Sequence, residues 1–365
     1  MREHFFTPLA FILLTWAGAC PASATVLDQK IDALYSEVSE KFKNDPWMKN
    51  SADTSLHGVF PPEYQMPDLD HFRIFMKSYC TLLQNPDAAK QVPSRDHYTF
   101  VDLGQDATLR RLYVYDIKNH QILHNMWASH GFNSSMNVEL TLSNTSSGQK
   151  DGVLYDSNPS RASFFSNVPE SNETSAGMTF TEPHTYWSTV MERNGLRMHG
   201  LDGELDSKIA ERGIVLHGWA FTAQEIAYYH IFPTSDGCVM LPESGFYKGT
   251  PNAAIFDLIE PDLASSAVLL YHKRLDPKQN ELSHELQLNT FSELDSMIPG
   301  KIKPFAELYH WSSEETAKYT EELRAKLKQG LLTRIEDTYQ YFKNSSKFVG
   351  QPVASEEQCI QDLNL

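Results

Sequence analysis

The residues best suited to chemistry lie in one segment, 214–242, where an apolar run reaches His217 and a second apolar run follows the turn-like Ser-Asp-Gly-Cys that ends at Cys238. A thiol reacts as its thiolate, so it needs a neighbour that takes its proton, and a histidine at the end of an adjacent strand can do this. Gly237 lets the backbone bend sharply before the cysteine. Such a turn can point N–H groups at a developing oxyanion, and Ser235 can hydrogen-bond within it. The pattern predicts a cysteine nucleophile with a histidine base.

Other interpretations of these residues stay open. A single cysteine among apolar residues is often a core residue, and a single histidine near a strand end is often structural. His199, His217, His230 and Cys238 could in principle bind zinc, but the sequence has neither the CxxC nor the HExxH spacing of common zinc sites. We therefore predict no metal. His130, in a Ser-His-Gly without a following cysteine, is predicted to be structural.

The start of the chain has the pattern of an export signal. Residues 5–19 are apolar, and Ala22-Ser23-Ala24 provides the small residues that a signal peptidase needs, so residues 1–24 are predicted to be a signal peptide cut after Ala24. The apolar run is short for an uncleaved membrane anchor. Cys20 follows a sequence that loosely resembles a lipoprotein cleavage site, and a membrane attachment is expected only if Cys20 is lipidated.

Charge and cysteine count limit the class of protein further. The 365 residues carry a net charge of −16, which argues against a nucleic-acid partner because such proteins usually present a basic face. Cleavage after the signal leaves Cys80, Cys238 and Cys359, an odd number that is compatible with one free thiol. Cys80 and Cys359 could pair, but the sequence alone does not decide this.

Hydrophobic periodicity divides the exported chain into three parts. Residues 25–97 have mainly helical spacing, residues 98–273 contain short β-branched and aromatic runs, and residues 274–365 are again helical. The polar stretch 133–161 is predicted to be a surface excursion. Ser312 and Glu315 form a capping-box pattern ahead of a helix whose leucines recur every four residues, which predicts a helix packed on the β region.

Four segments in this order resemble successive blocks of the L,D-transpeptidase (YkuD-like) family, in the subgroup called the murein L,D-transpeptidase catalytic-domain family. They are residues 111–131, 164–187, 196–218 and 214–242, within 98–273. The signature of the family is a His-Gly, a spacer in the mid-teens and then Ser/Thr-x-Gly-Cys; here 17 residues separate His217 from Ser235, at the long end of that spacing. The resemblance implies an α+β fold, with a mostly β L,D-transpeptidase-type catalytic domain between helical N- and C-terminal segments.

The resemblance also implies roles for individual residues. Cys238 matches the acyl-forming nucleophile of the family, His217 its general base and Ser235 the Ser/Thr of the signature. The backbone N–H groups of Gly237 and Cys238 match the expected oxyanion donors. A backbone carbonyl near Gly218, rather than a carboxylate, is expected to orient the histidine.

Candidate substrate-binding residues are less sharply defined. Tyr186, Trp187, Arg197 and His199 lie in the matching blocks, where strand packing and surface charge explain them equally well. Arg197 is the best candidate to hold a substrate carboxylate, since a guanidinium can bind one through two hydrogen bonds. Asp236 departs from the family, in which many members have histidine at this position, and a carboxylate beside the thiol should raise the pKa of the thiol.

The implied function is two-step acyl transfer on peptidoglycan stem peptides in the periplasm or cell wall. The thiolate attacks the L,D-peptide bond between the diamino acid and D-Ala of a tetrapeptide stem, and an amine of a second stem takes the acyl group to form a 3–3 crosslink. Attack by water would make the same site an L,D-carboxypeptidase. A degenerate, non-catalytic wall-binding protein is the alternative of a different class. No organic cofactor is expected, and the sequence does not indicate an oligomeric state.

Overall fold

A computed structural model describes residues 24–46, 64–135, 137–140, 152–156, 161–188, 193–222, 234–247 and 250–365. Three predicted features therefore lie wholly or mostly outside the described residues: residues 1–23 of the predicted signal peptide, the candidate zinc ligand His230 and most of the predicted excursion 133–161.

Among the described residues, three helices precede the sheet: α1 (Val26–Asn44), α2 (Leu69–Leu83) and α3 (Pro86–Ala89). The two long helices confirm the prediction from apolar spacing. Leu27, Ile31 and Leu34 form one buried stripe on α1, as the 3.6-residue period requires. A capping box between Thr25 and Asp28 satisfies N–H groups that the first turn of α1 would otherwise leave unpaired.

Twelve strands are present in the described residues. They are β1 (His97–Asp102), β2 (Leu112–Asp116), β3 (Gln121–Met126), β4 (Asn137–Leu140), β5 (Gly152–Asp156), β6 (Gly177–Thr181), β7 (Tyr186–Ser188), β8 (Arg193–Gly200), β9 (Val215–Thr222), β10 (Val239–Tyr247), β11 (Thr250–Ala254) and β12 (Ala267–Tyr271). Ten of them form one mixed sheet in the order β11-β10-β9-β8-β6-β12-β1-β2-β3, with β7 added beside β8. β4 and β5 form a separate antiparallel pair within the predicted excursion.

Two strand pairs in this sheet are parallel, β1 with β12 and β9 with β10. All five residues of β12 are buried, which explains why Ala267–Tyr271 is continuously apolar rather than alternating. The β9–β10 pair lies near the other end of the sheet and contains the predicted histidine and the strand that follows the cysteine.

The α-helices that follow in the described part of the chain are α4 (Ile255–Leu263), α5 (Pro277–Leu308), α6 (Ser313–Leu327), α7 (Thr333–Lys343) and α8 (Glu356–Asp362). A π-helical turn, Lys328–Leu332, joins α6 to α7, and the predicted Ser312–Glu315 capping box is confirmed. The chain is thus α+β, with a sheet flanked in sequence by helical segments.

The predicted C-terminal helix packs in two ways. Leu323, Leu327 and Leu331 share a small core with Ile298 and Ile302 of α5, so the first half forms a helical hairpin rather than packing on the sheet. The second half does reach the sheet region, because the Tyr341 hydroxyl of α7 contacts the backbone of Ala176 and Leu205 and Phe342 belongs to the main core. The leucine periodicity identified the apolar face of the helix but not its partner.

A disulfide joins Cys80 of α2 to Cys359 of α8, across 279 residues of sequence. Both cysteines are buried in the main core, and α8 also contacts α1 through a hydrogen bond from the Leu27 amide to Glu356. The two ends of the described chain are therefore held together covalently. None of the described helices is long and apolar enough to cross a membrane.

Breaking this disulfide should destabilise the fold substantially. Cys359→Ser is expected to lower the free energy of unfolding by about 2–5 kcal/mol, because the long closed loop no longer restricts the unfolded chain. Urea unfolding under oxidising conditions measures the loss. Cys238→Ser is the matched control, since it removes a cysteine outside the bridge. Equal unfolding midpoints for wild type and Cys359→Ser would show that the bridge does not form.

Candidate active site

Strand register places His217 and Cys238 on one face of the sheet. In the parallel β9–β10 pair, Met240 lies beside His217 and Val239 beside Leu216. Cys238 is two residues before Met240, so its side chain points to the same face as those of Met240 and His217. Leu216 and Val239 point to the opposite face and are fully buried. The nucleophile and base predicted from sequence are thus diagonal neighbours, roughly 7–8 Å apart in the backbone.

The hydrogen bonding of His217 leaves one ring nitrogen with a free lone pair. Nδ1 lies 2.7 Å from the carbonyl oxygen of Gly218, which can only accept, so Nδ1 carries the proton. Nε2 of the neutral ring is then an acceptor, as a general base requires. Burial lowers the pKa of His217 to about 4, although the Gly218 carbonyl opposes this effect. The hydrogen bond from His217 to the Gly218 carbonyl is the orienting contact that the resemblance implies. The Cα atom of Gly218 packs against Phe256 on α4.

The turn before the nucleophile is closed by one hydroxyl group. Ser235 Oγ accepts from the Gly237 amide at 3.1 Å and donates to the Cys238 carbonyl at 2.6 Å. Gly237 has φ +115°, a conformation that L side chains rarely adopt. Ser235 therefore holds the turn as predicted from its chemistry. The Gly237 amide, which the resemblance assigns to the oxyanion, instead donates to this serine.

A second segment supports the turn from its other side. The Ser129 hydroxyl donates to the Cys238 carbonyl at 3.3 Å and accepts from the Met240 amide at 2.8 Å. The neighbouring His130 is buried and lies 2.9 Å from an Arg111 guanidinium nitrogen, which can only donate. His130 Nδ1 is then the acceptor, and Nε2 contacts Ser135 at 3.0 Å. His130 is therefore a structural residue of the segment that supports the turn, and it is not a second base.

The thiol of Cys238 is neutral in the resting site. Burial raises its pKa to about 11; a contact with the Val215 backbone and the charge of Arg212 lower it, and the charge of Asp236 raises it. Asp236 is exposed, so solvent weakens but does not abolish the effect expected from sequence. With a thiol of pKa about 11 and an imidazole of pKa about 4, the pair at neutral pH is thiol and imidazole, not thiolate and imidazolium.

Strand β8 brings two arginines to the same face as the reacting pair. Gly195 pairs with His217 and Arg197 with Val215, so Arg193, Gly195 and Arg197 alternate onto this face. Arg197 lies two strands from Cys238, or about 10 Å, and its guanidinium stacks 4.4 Å above the ring of Tyr186. A Cβ atom at Gly195 would lie 3.3 Å from the Cβ atom of His217, so the glycine allows β8 to pack closely against the histidine.

Two other predicted binding residues are placed differently. His199 contacts Glu182 at 2.8 Å and stacks on Phe180, so structural contacts account for it. Trp187 is exposed and lines a cleft of about 280 Å³. Arg193, Asn194 and Gly218 line the same cleft, whereas His217 and Cys238 do not, so the cleft lies beside this pair of residues. No group of three metal-ligating side chains is found among the described residues.

Two residues near the site were not selected from the sequence. Arg193 donates to the Gly218 carbonyl at 3.2 Å and lies 3.4 Å from Glu243, so it bears on the same carbonyl as His217. Arg212 lies against Gly237. Alternation from Arg197 along β8 could have indicated Arg193, whereas no local pattern connects position 212 with a turn 25 residues later.

A neutral histidine whose Nε2 can accept a proton, on the same sheet face as a cysteine in a glycine turn, is an arrangement that can support nucleophilic chemistry by a thiol. The family model described as the L,D-transpeptidase catalytic domain matches residues 68–153 and 148–250, together half of the chain. The chain therefore belongs to this family, which confirms the resemblance recognised from its sequence blocks and links the chain to peptidoglycan peptides. No curated protein and no solved structure matches it significantly.

The raised pKa of Cys238 predicts the pH dependence of its reactivity. Alkylation by iodoacetamide should accelerate about tenfold per pH unit between about pH 7 and pH 10, because only the thiolate reacts. Mass spectrometry of the modified protein, with peptide mapping to Cys238, measures this rate. A rate that is already constant above about pH 7 would contradict a neutral resting thiol.

Proposed function

We propose that this chain is a peptidoglycan L,D-transpeptidase that works through an acyl-enzyme on Cys238. The observation that carries the proposal is the common sheet face of Cys238 and His217, with His217 Nε2 free to accept a proton. Cys238 is also the free cysteine of the described chain, since Cys80 and Cys359 are paired.

In the proposed first step, His217 Nε2 takes the thiol proton as sulfur attacks the carbonyl between the diamino acid and D-Ala of a tetrapeptide stem. The Cys238 amide stabilises the oxyanion. The imidazolium then protonates the departing amine, D-Ala leaves, and a thioester remains. Because both resting groups are neutral, His217 acts as general base and then as general acid without a preformed ion pair.

In the proposed second step, the amine of another stem attacks the thioester while His217 removes its proton. The thiol is released, and the product is a 3–3 crosslink. Arg197 is the proposed contact for a stem carboxylate, because it is exposed on the reacting face and its guanidinium is held over Tyr186.

We also propose that the chain is exported to the periplasm or cell wall. The Cys80–Cys359 disulfide supports this location, since such bonds persist in oxidising compartments. Cleavage after Ala24 would leave Thr25, the N-cap of α1, as the first residue of the mature protein. Amino-terminal sequencing of the exported protein tests the site of cleavage, and a retained segment 1–24 would refute it.

Incubation with disaccharide-tetrapeptide muropeptides, followed by mass spectrometry, tests the activity. We expect crosslinked dimers and released D-Ala from the wild type and at least about 10³-fold less from Cys238→Ala or His217→Ala, because each variant lacks one member of the reacting pair. Lys208→Ala, an exposed change outside the reacting pair, is the control and should match the wild type.

The products also distinguish the alternatives. Tripeptide without dimer means that water is the acceptor and the chain is a carboxypeptidase. No turnover, together with no carbapenem adduct on Cys238, would contradict the enzyme and favour a wall-binding protein. A Cys238→Ala variant as active as the wild type would exclude Cys238 as the nucleophile.

A further inference from the structure

Arg212 lies just before the first residue of β9 and packs against the turn that precedes Cys238. Its amide donates to the Lys208 carbonyl at 2.8 Å, which closes a helical turn, and Gly213 follows with φ +67° and leads the chain into β9. The position of Arg212 is thus fixed by local backbone structure immediately before the strand that carries His217.

The guanidinium of Arg212 is held by neutral acceptors. One terminal nitrogen donates to the Ser166 carbonyl at 2.7 Å and the Ser175 hydroxyl at 2.8 Å, and the other donates to the Ser171 hydroxyl at 3.3 Å and the Glu173 carbonyl at 2.5 Å. These contacts orient the side chain but do not neutralise its charge. Partial burial of a cation without an anionic hydrogen-bond partner is costly unless an anion forms nearby.

The same guanidinium touches the turn that presents Cys238. A Cβ atom at Gly237 would lie 3.0 Å from an Arg212 terminal nitrogen and 3.1 Å from the Glu173 carbonyl. The backbone of Gly237 is therefore packed directly against Arg212, and the glycine is required for space as well as for its positive φ. The charge of Arg212 also favours the thiolate of Cys238 over the thiol.

The other titratable groups near Arg212 and Cys238 do not supply the positive charge that would stabilise a thiolate. The carboxyl group of Glu173 faces Arg334 of α7 at 3.5 Å, and burial raises its pKa to about 7, so it is only partly ionised at neutral pH. The phenol of Tyr341, also from α7, is neutral because burial raises its pKa well above the ordinary value. Asp236 is negative and opposes the thiolate.

We propose that Arg212 is a positioning residue for the nucleophile, which holds the Gly237–Cys238 turn and stabilises the negative charge that develops on sulfur as its proton leaves for His217. The proposal rests on Cys238 being the nucleophile of the proposed function. It explains how a buried thiol next to an acidic residue can be activated without a preformed ion pair. It also assigns a purpose to a cation whose hydrogen bonds are all to neutral oxygens.

The test is the pH profile of iodoacetamide alkylation at Cys238 in three folded variants. Arg212→Gln removes the charge and keeps an amide donor; we expect a rate about tenfold lower at each pH, equivalent to a profile displaced by about one unit. Arg212→Lys keeps the charge, and its rate should stay within about threefold of wild type. Lys208→Gln is the matched control, because it removes the same charge from the exposed surface of the same turn and should leave the profile unchanged.

A wild-type profile in folded Arg212→Gln would overturn the proposal, since a purely structural role changes stability and not the profile. If Arg212→Gln does not fold, Arg212→Lys decides: a profile near wild type supports the proposal, and a folded variant slowed tenfold or more overturns it. Alkylation needs no peptidoglycan. Failure of this test therefore leaves the transpeptidase activity open, and failure of the muropeptide assay leaves the role of Arg212 intact.

Discussion

The parallel register of β9 and β10 is the constraint on which the site depends. Because Met240 lies beside His217, the cysteine two residues earlier shares a face and a diagonal with the histidine. A slip of one residue would turn the cysteine to the opposite face and bury it against the core, since side chains alternate along a strand. Leu216 and Val239, buried on the other face, make that slip unfavourable. The core thus fixes the relative position of the two groups that react.

Around this register, burial keeps both groups neutral, and polar contacts fix their positions. Ser235 and Ser129 both donate to the Cys238 carbonyl, and the Gly218 carbonyl holds the histidine tautomer. The thiolate is the form that oxidises, so a neutral, partly buried thiol is less prone to oxidation. In the mechanism that we propose, activation occurs at the moment of attack, when the thiol proton moves to His217 and the charge of Arg212 stabilises the sulfur. On this proposal, the same arrangement accounts both for the low reactivity of the resting Cys238 thiol and for its activation during attack.

The sequence predicted those parts of the molecule that local patterns encode. Apolar spacing predicted α1 and α2, and the Ser312–Glu315 box predicted the start of α6. Residue types predicted the turn that precedes Cys238. Long-range geometry was not accessible in this way. The contact between Arg212 and Gly237 depends on the path of the chain between them, and the pairing of Cys80 with Cys359 depends on how α8 returns to α2.

Residue type also could not decide which of several possible partners a polar group contacts. The Gly237 amide had two possible partners, a substrate oxyanion and the hydroxyl of Ser235, and in the structure it donates to the serine. The sequence favoured Arg197 for a substrate carboxylate and left His199 as a further candidate, and the contact of His199 with Glu182 accounts for this histidine structurally. Competition among nearby partners is settled by three-dimensional packing.

The central claim is that a stem peptide becomes covalently attached to Cys238, and trapping that intermediate tests it most directly. Wild-type protein is mixed with a tetrapeptide stem that lacks a usable acceptor amine. The reaction is quenched in acid, and the mass of the intact protein is measured by mass spectrometry. The account predicts a mass increase equal to the stem without its terminal D-Ala, mapped to Cys238 and lost on treatment with hydroxylamine. Release of D-Ala with no adduct in the wild type, and equally fast release by Cys238→Ser, would contradict it.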